Sequence, residues 1–119
     1  MSTQDIYELD ADADIWVVPA FDWPQAPWPA LLYPLDKHQQ QNEKEEERCL
    51  AETERLIKEW HIPPAAIIIE PIASEGGDNH ASPNFFRSLR DITKKHQILM
   101  IVDEVQTGLG ATGAHASLL

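Results

Sequence analysis

The chain has one cysteine, Cys49, so an internal disulfide is excluded and a reducing compartment suits it. Cys49 lies beside Leu50 on an apolar stripe and is read as packing rather than as a nucleophile. Basic residues are also scarce. Nine Lys and Arg stand against twenty Asp and Glu, and the net charge of -11 repels nucleic-acid phosphates and anionic membrane surfaces alike. No apolar run approaches the roughly 20 residues that cross a bilayer. The start, "MSTQDIYELDADADIWVV", has neither a basic region nor a sustained apolar core, and acids stand where a transit peptide carries arginines. The expectation is a soluble, cytoplasmic protein with no nucleic acid or membrane as partner. No spacing of His, Cys and acids suggests a metal site.

What is present is enough for one domain at most: 119 residues, 43% of them hydrophobic. Residues 1–18 are acidic and weakly patterned. In "PAFDWPQAPWPALLYP", residues 19–34, prolines alternate with Phe21, Trp23, Trp28 and Tyr33, which excludes helix and central strand. The large aromatics favour an extended arm packed on a domain over a polyproline ligand. From Lys37 to Trp60 the period is helical. Cys49, Leu50, Thr53, Leu56, Ile57 and Trp60 share a face, and "EKEEER" reads as the solvated side. His61, Pro63 and Pro64 end that helix.

"AAIII" then reads as a short buried strand ending at Glu70. A long loop, "EPIASEGGDNHA", follows, and loops of that length are often functional. Ser82 and Pro83 form a helix start, with Phe85, Phe86, Leu89, Ile92 and His96 at helical spacing to about Lys95. "ILMIV", residues 98–102, is a second strand. Strand, helix, strand makes a βαβ unit whose strands lie parallel with a right-handed crossover. These elements are too few to cover both faces of a parallel sheet, so the chain reads as a piece of a domain.

Both strands end in acids, Glu70 and the pair Asp103 and Glu104, at the edge where open α/β sheets place ligands. A carboxylate walled by apolar strands stays ionised only if a cation or strong donors meet it. Three partners fit Asp103. A magnesium nucleotide would make "LMIVDE" a Walker B strand, although no G-x-x-x-x-G-K-[ST] accompanies it. A structural arginine is the second. The third is a protonated pyridine nitrogen, as in pyridoxal phosphate. For Glu104 a structural ion pair outweighs a direct role.

The segments "EPIASEGGDNHASPNFFRSLRDITKKH" and "IVDEVQTGLGATG" resemble the cofactor domain of class III aminotransferases, in particular the branch acting on 4-aminobutyrate. "FDWPQAPWPALLYPL" and "EEERCLAETERLIKEW" are similar to the preceding segment of the same proteins. The resemblance implies an α/β fold, a fragment of the large cofactor domain of a fold type I pyridoxal-phosphate-dependent transferase. In it, a βαβ unit of parallel strands follows an acidic amphipathic helix and a Pro-rich arm. The domain piece spans residues 19–113, with 1–18 unmatched and 114–119 divergent.

The implied activity, in a homodimeric parent enzyme, is transfer of the amino group of 4-aminobutyrate to 2-oxoglutarate with pyridoxal 5'-phosphate as cofactor. The implied roles are Asp103 as pyridinium partner, Gln106 as donor to the ring oxygen and Glu70 as a second glutamate near the cofactor. Glu75 would pair with a mobile arginine that lets one site take a monocarboxylate amine and a dicarboxylate. His80 is read as ordering the loop.

Ala73 replaces the family's usual glutamine, and Gln97 replaces the glycine that turns the chain into the second strand. The resemblance also implies that the Schiff-base lysine lies beyond Leu119, leaving no catalytic lysine here, and that the chain alone is inactive. Full-length relatives in the mitochondrial matrix are compatible with this reading. Two other functions compete: a non-catalytic remnant acting as an interaction protein, and a Walker-B-containing ATPase fragment.

Overall fold

The structure, a computed structural model, describes residues 21–74, 77–110 and 113. Two helices and two strands follow one another: α1 (Gln39–Glu59), β1 (Ala66–Ile69), α2 (Pro83–Lys95) and β2 (Leu99–Val102). α1 starts two residues later than its period suggests. Pro34 opens a separate 3-10 turn over Leu35–Lys37, in which Lys37 N–H donates to Pro34 O at 3.1 Å and His38 N–H to Leu35 O at 3.2 Å. No helix among the described residues is long and apolar enough to cross a membrane.

The buried stripe of α1 is Asn42, Glu46, Cys49 and Thr53. This spacing of four, three and four residues is one helical face. It corrects the reading of "EKEEER" as wholly solvated, because Glu46 turns inward and is only 7% exposed. The remainder of that run behaves as expected, with Glu45 paired to Arg48 on the surface at 2.8 Å.

Ser82 caps α2, its Oγ accepting from Phe85 N–H at 3.2 Å, and Pro83 occupies the first turn, where a missing N–H costs nothing. At the other end Ile98 N–H donates to Thr93 O at 3.0 Å and Gln97 N–H to Lys94 O at 3.2 Å. These are the two bonds of a Schellman stop, and Gln97 sits at its left-handed position with φ 57°. A side chain is strained there, which is the physical content of the departure at this residue.

β1 and β2 pair in parallel, Ala66 with Leu99, Ile67 with Met100, Ile68 with Ile101 and Ile69 with Val102. Partners in a parallel register share a face. Ile67, Ile69 and Met100 pack with Trp28 and Leu50 against a core of Cys49, Phe85, Phe86 and Leu89. The Pro-rich arm joins this core. Trp28 lies 6.0 Å from the Phe85 ring and 6.2 Å from Phe86, Pro29 is fully buried, and Asn42 both accepts from Leu32 N–H at 2.8 Å and donates to Leu32 O at 2.9 Å. Cys49 is thus a packing residue, and burial raises its thiol pKa.

Among the described residues nothing covers the other sheet face. Ile68, Leu99 and Ile101 are 61%, 68% and 47% exposed. Parallel strands ordinarily have both faces covered, so this row and the unpaired strand edges form an adhesive surface. The 119-residue chain is expected to bind a hydrophobic dye and to self-associate. The double variant Ile68→Lys, Ile101→Lys should reduce both; unchanged light scattering and dye fluorescence would refute this.

Glu54 joins the ends of the helices, its Oε1 accepting from Lys95 Nζ at 2.7 Å, meeting His96 Nε2 at 2.8 Å and pairing with Lys58 at 3.6 Å. The hydrogen bonds from Lys95 and His96 lower its pKa from 4.5 to about 2. A depressed carboxyl pKa stabilises the fold above the unfolded value and loses that contribution as pH falls through the folded one. Glu54→Gln should therefore lower the melting temperature at neutral pH. The gap should close between pH 4.5 and about 2; a gap that persists at the acid end would remove the assignment. In the same assay, Gln97→Gly should raise stability by about 0.5–1 kcal/mol by relieving the left-handed strain. A loss of stability on this change would mean that Gln97 makes compensating contacts.

Candidate functional site

The register of the sheet brings Glu70 and Asp103 to one edge. They are the residues that follow the last pair, Ile69 and Val102, and the ladder continues as Asp103 N–H donates to Ile69 O at 2.8 Å. Asp103 is half-buried, and its Oδ1 accepts from Val105 N–H at 3.0 Å. This short Asx turn fixes the carboxylate at the mouth of the strand.

The chain then coils tightly. Gly108 N–H donates to Glu104 O at 2.8 Å, and a Cβ at Gly108 would stand 2.8 Å from that oxygen, so only glycine fits. The coil presents Gln106 on the exposed side and turns Thr107 inward. Glu104 has a buried Oε1, and Thr107 a buried Oγ1, with no hydrogen-bond partner among the described residues. The ion pair expected of Glu104 is absent among the described residues.

Glu70 is half-buried, and its Oε2 accepts from Ser74 N–H at 3.1 Å, which ties the loop after β1 back to the strand end. A bridge between Ala73 and Asn79 narrows the loop, Ala73 N–H donating to Asn79 O at 3.1 Å and Asn79 N–H to Ala73 O at 2.9 Å. Asn79 Nδ2 also donates to Gly77 O at 2.9 Å. Loop ordering therefore falls to Asn79 rather than His80, which is exposed and makes no hydrogen bond among the described residues. Glu75 lies outside the described residues.

Between the loop and the coil after β2 is a shallow cleft of about 200 Å³, lined by Ile72, Ser74, Asp78, His80, Gln106 and Thr107. Gln106 thus faces the loop that carries Glu75 in sequence, while Asp103 and Glu70, at the strand ends, are not among the residues that line the cleft. Among the described residues this edge offers carboxylates, hydroxyls and an amide, and no lysine. A carboxylate held in a half-buried Asx turn suits a partner that carries a proton on nitrogen, and the unpartnered Glu104, Thr107 and Ser74 oxygens leave polar capacity unused at the same edge. These residues fit the ring nitrogen and polar substituents of pyridoxal phosphate.

Sequence reasoning missed Glu46, whose carboxylate accepts from Ser82 N–H at 2.7 Å and from Ser82 Oγ–H at 2.6 Å. The signal was available. Stepping the Cys49 and Thr53 stripe backward by three and then four residues lands on Glu46 and Asn42, both buried.

Residues 17–118 match the family described as Aminotransferase class-III. The 4-aminobutyrate aminotransferase of Emericella nidulans is 72% identical over 96 residues, 81% of this chain and 19% of that protein. The mitochondrial 4-aminobutyrate aminotransferase of Homo sapiens is 57% identical over 99 residues, 81% of this chain and 20% of that protein. This chain spans about a fifth of the length of the curated relatives it matches. Among solved structures, the lysine aminotransferase from M. tuberculosis superposes with a TM-score of 0.73 at 35% identity, covering 81% of this chain and 22% of that one. Neither the nucleotide-binding reading of the β2 acids nor the non-catalytic interaction role finds support in these likenesses. The expected fold does: this is α/β structure from a fold type I cofactor domain, and the chain belongs to the class III aminotransferases, a pyridoxal-phosphate-dependent family.

Proposed function

We propose that residues 19–113 are the βαβ part of the cofactor domain of a 4-aminobutyrate aminotransferase, and that the complete enzyme passes the amino group of 4-aminobutyrate to 2-oxoglutarate as a homodimer. Identity to relatives of that name supports the amine donor. The observation that carries the site is the half-buried Asp103 carboxylate, fixed at the strand end by Val105 N–H. Pyridoxal phosphate, when bound, supplies an electron sink for the carbanion left by proton removal next to nitrogen.

The residues of this chain serve that chemistry by position and charge. Asp103 would hold a proton on the ring nitrogen, because a poorly solvated carboxylate favours a cation beside it. Gln106 would donate to the ring oxygen from the coil after β2. Glu70, which ties the loop after β1 to the strand end through Ser74 N–H, would lie near the cofactor as a second glutamate. Glu75 pairs with an arginine when the amine substrate, which has one carboxylate, occupies the site. It releases that arginine to the second carboxylate of 2-oxoglutarate.

The test places residues 21–113 in the matching segment of the Emericella nidulans relative. Asp103→Asn keeps the shape and loses the charge, so it should raise the barrier by about 3 kcal/mol, roughly a hundredfold in single-turnover rate, while melting temperature holds. Glu104→Gln should cost much less, since Glu104 has no ion pair among the described residues. Cofactor occupancy is read by absorbance in both. An Asp103→Asn enzyme that keeps its rate, or a Glu104→Gln enzyme that suffers more, would mean that the adjacent acids have exchanged roles.

A further inference from the structure

Glu46 is a buried carboxylate to which the proposed reaction assigns no part. It lies on α1, 36 residues before its partner, and spends both oxygens on one residue, accepting from Ser82 N–H at 2.7 Å and Ser82 Oγ–H at 2.6 Å. Ser82 in turn accepts from Phe85 N–H, so a single relay runs from α1 through the cap into the first turn of α2. A carboxylate is favoured at this end of a helix, where N–H groups and the helix dipole face it.

Ser82 is also the residue at which the loop after β1 ends. That loop is held at its start by Glu70 on Ser74 N–H and at its neck by the Ala73 and Asn79 bridge. Its return to the fold depends on Ala81, packed at the core, and on Ser82. We propose that Glu46 is a positioning residue for this loop: by clamping Ser82 it sets where Ser74, Asp78 and His80 face Gln106 across the cleft, and so tunes selection between amine and dicarboxylate substrates. The kinetic part rests on the function proposed above; the geometric part does not.

Two variants separate positioning from bulk stability. Glu46→Ala removes both acceptors, whereas in Glu46→Gln the amide oxygen still accepts from Ser82 N–H and the amide N–H₂ donates to Ser82 Oγ. Amide hydrogen exchange in the 119-residue chain is the first measurement. Glu46→Ala should accelerate exchange at residues 72–74 and 77–80 about tenfold while β1, β2 and the middle of α1 stay unchanged, and Glu46→Gln should restore most of the protection. Unchanged loop exchange in Glu46→Ala overturns the proposal. So does uniform acceleration or unfolding, which would assign Glu46 to overall stability.

The second measurement uses the chimeric enzyme described above. Glu46→Ala should raise KM for 4-aminobutyrate about tenfold, with kcat and the KM for 2-oxoglutarate changed less than about twofold, and Glu46→Gln should bring KM back. Equal effects on both substrates, or a loss confined to kcat, would overturn the selective role. A chimera with no transamination before any substitution at Glu46 tells against the proposed function alone, since the exchange result stands apart from activity.

Discussion

The hydrogen bond from Asp103 N–H to Ile69 O, 2.8 Å long, is the constraint on which the arrangement turns. It is the rung that follows the pairing of Ile69 with Val102, and it puts the residue after each strand on one edge at one height. Slide β1 by a single residue against β2 and Ile67 and Ile69 leave the core for solvent; slide β2 instead and Met100 leaves it, so the burial of those side chains enforces the alignment of the acids. The candidate site is thus held by apolar packing rather than by contacts among its own polar groups. Asp103 and Glu70 share no hydrogen bond; each is occupied locally, by Val105 N–H and Ser74 N–H.

A second constraint comes from α1, which grips α2 at both ends through carboxylates eight residues apart. Glu46 meets Ser82 at the start of α2, and Glu54 meets Lys95 and His96 at its finish. The two grips differ in kind. Glu46 is buried and satisfies backbone and hydroxyl donors, so losing it would leave an orphaned Ser82 N–H in a poorly solvated place. Glu54 keeps solvent on its flank and binds charges that water would otherwise screen, which makes its contribution sensitive to acid and salt. Between them the Phe85, Phe86 and Leu89 face is pressed against Cys49 and Trp28, and α2 in turn sets the height of β2.

Much of this was legible in the residues because each signal was local and agreed with its neighbour. Ser82 and Pro83 mark the α2 start by cap chemistry, the apolar runs mark both strands, and their connection through one helix dictates parallel pairing. The Trp28 contact was readable as a tendency, since so many large aromatics among prolines need a surface to lie on. What escaped was long-range and polar. The partner of Glu46 is 36 residues away, and a glutamate inside an acidic run looks solvated unless the helical period is carried through it. The loop was readable from its length and composition but not as shaped by Asn79, because an antiparallel bridge of two residues leaves no periodic trace. At Gln97 a glycine-like backbone carries a glutamine, and the Schellman hydrogen bonds show why the position still bends: two backbone bonds and the burial of the following strand outweigh about 1 kcal/mol of strain.

The polar atoms without partners bear on the same edge. Ser74 Oγ, Glu104 Oε1 and Thr107 Oγ1 are buried and unbonded among the described residues, and Ser74 and Thr107 line the cleft beside Gln106. Orphaned oxygens scattered through a core would simply cost stability, at roughly 1–3 kcal/mol each. Here they gather at the carboxyl ends of two parallel strands, next to a fixed carboxylate and a glycine that no other residue can replace without striking the Glu104 carbonyl. The two indole N–H groups in the same condition, on Trp28 and Trp60, are donors on the arm and at the end of α1. The division follows chemistry: unmet oxygens, of which two can donate through a hydroxyl and one belongs to an acid, collect where a polar ligand with a cationic nitrogen is proposed to sit. The bare sheet face carries only apolar side chains, Ile68, Leu99 and Ile101. One surface of this unit therefore asks for hydrogen-bonding partners and another for apolar cover, and the parallel register that separates Ile68 and Ile101 from Ile69 and Val102 creates both.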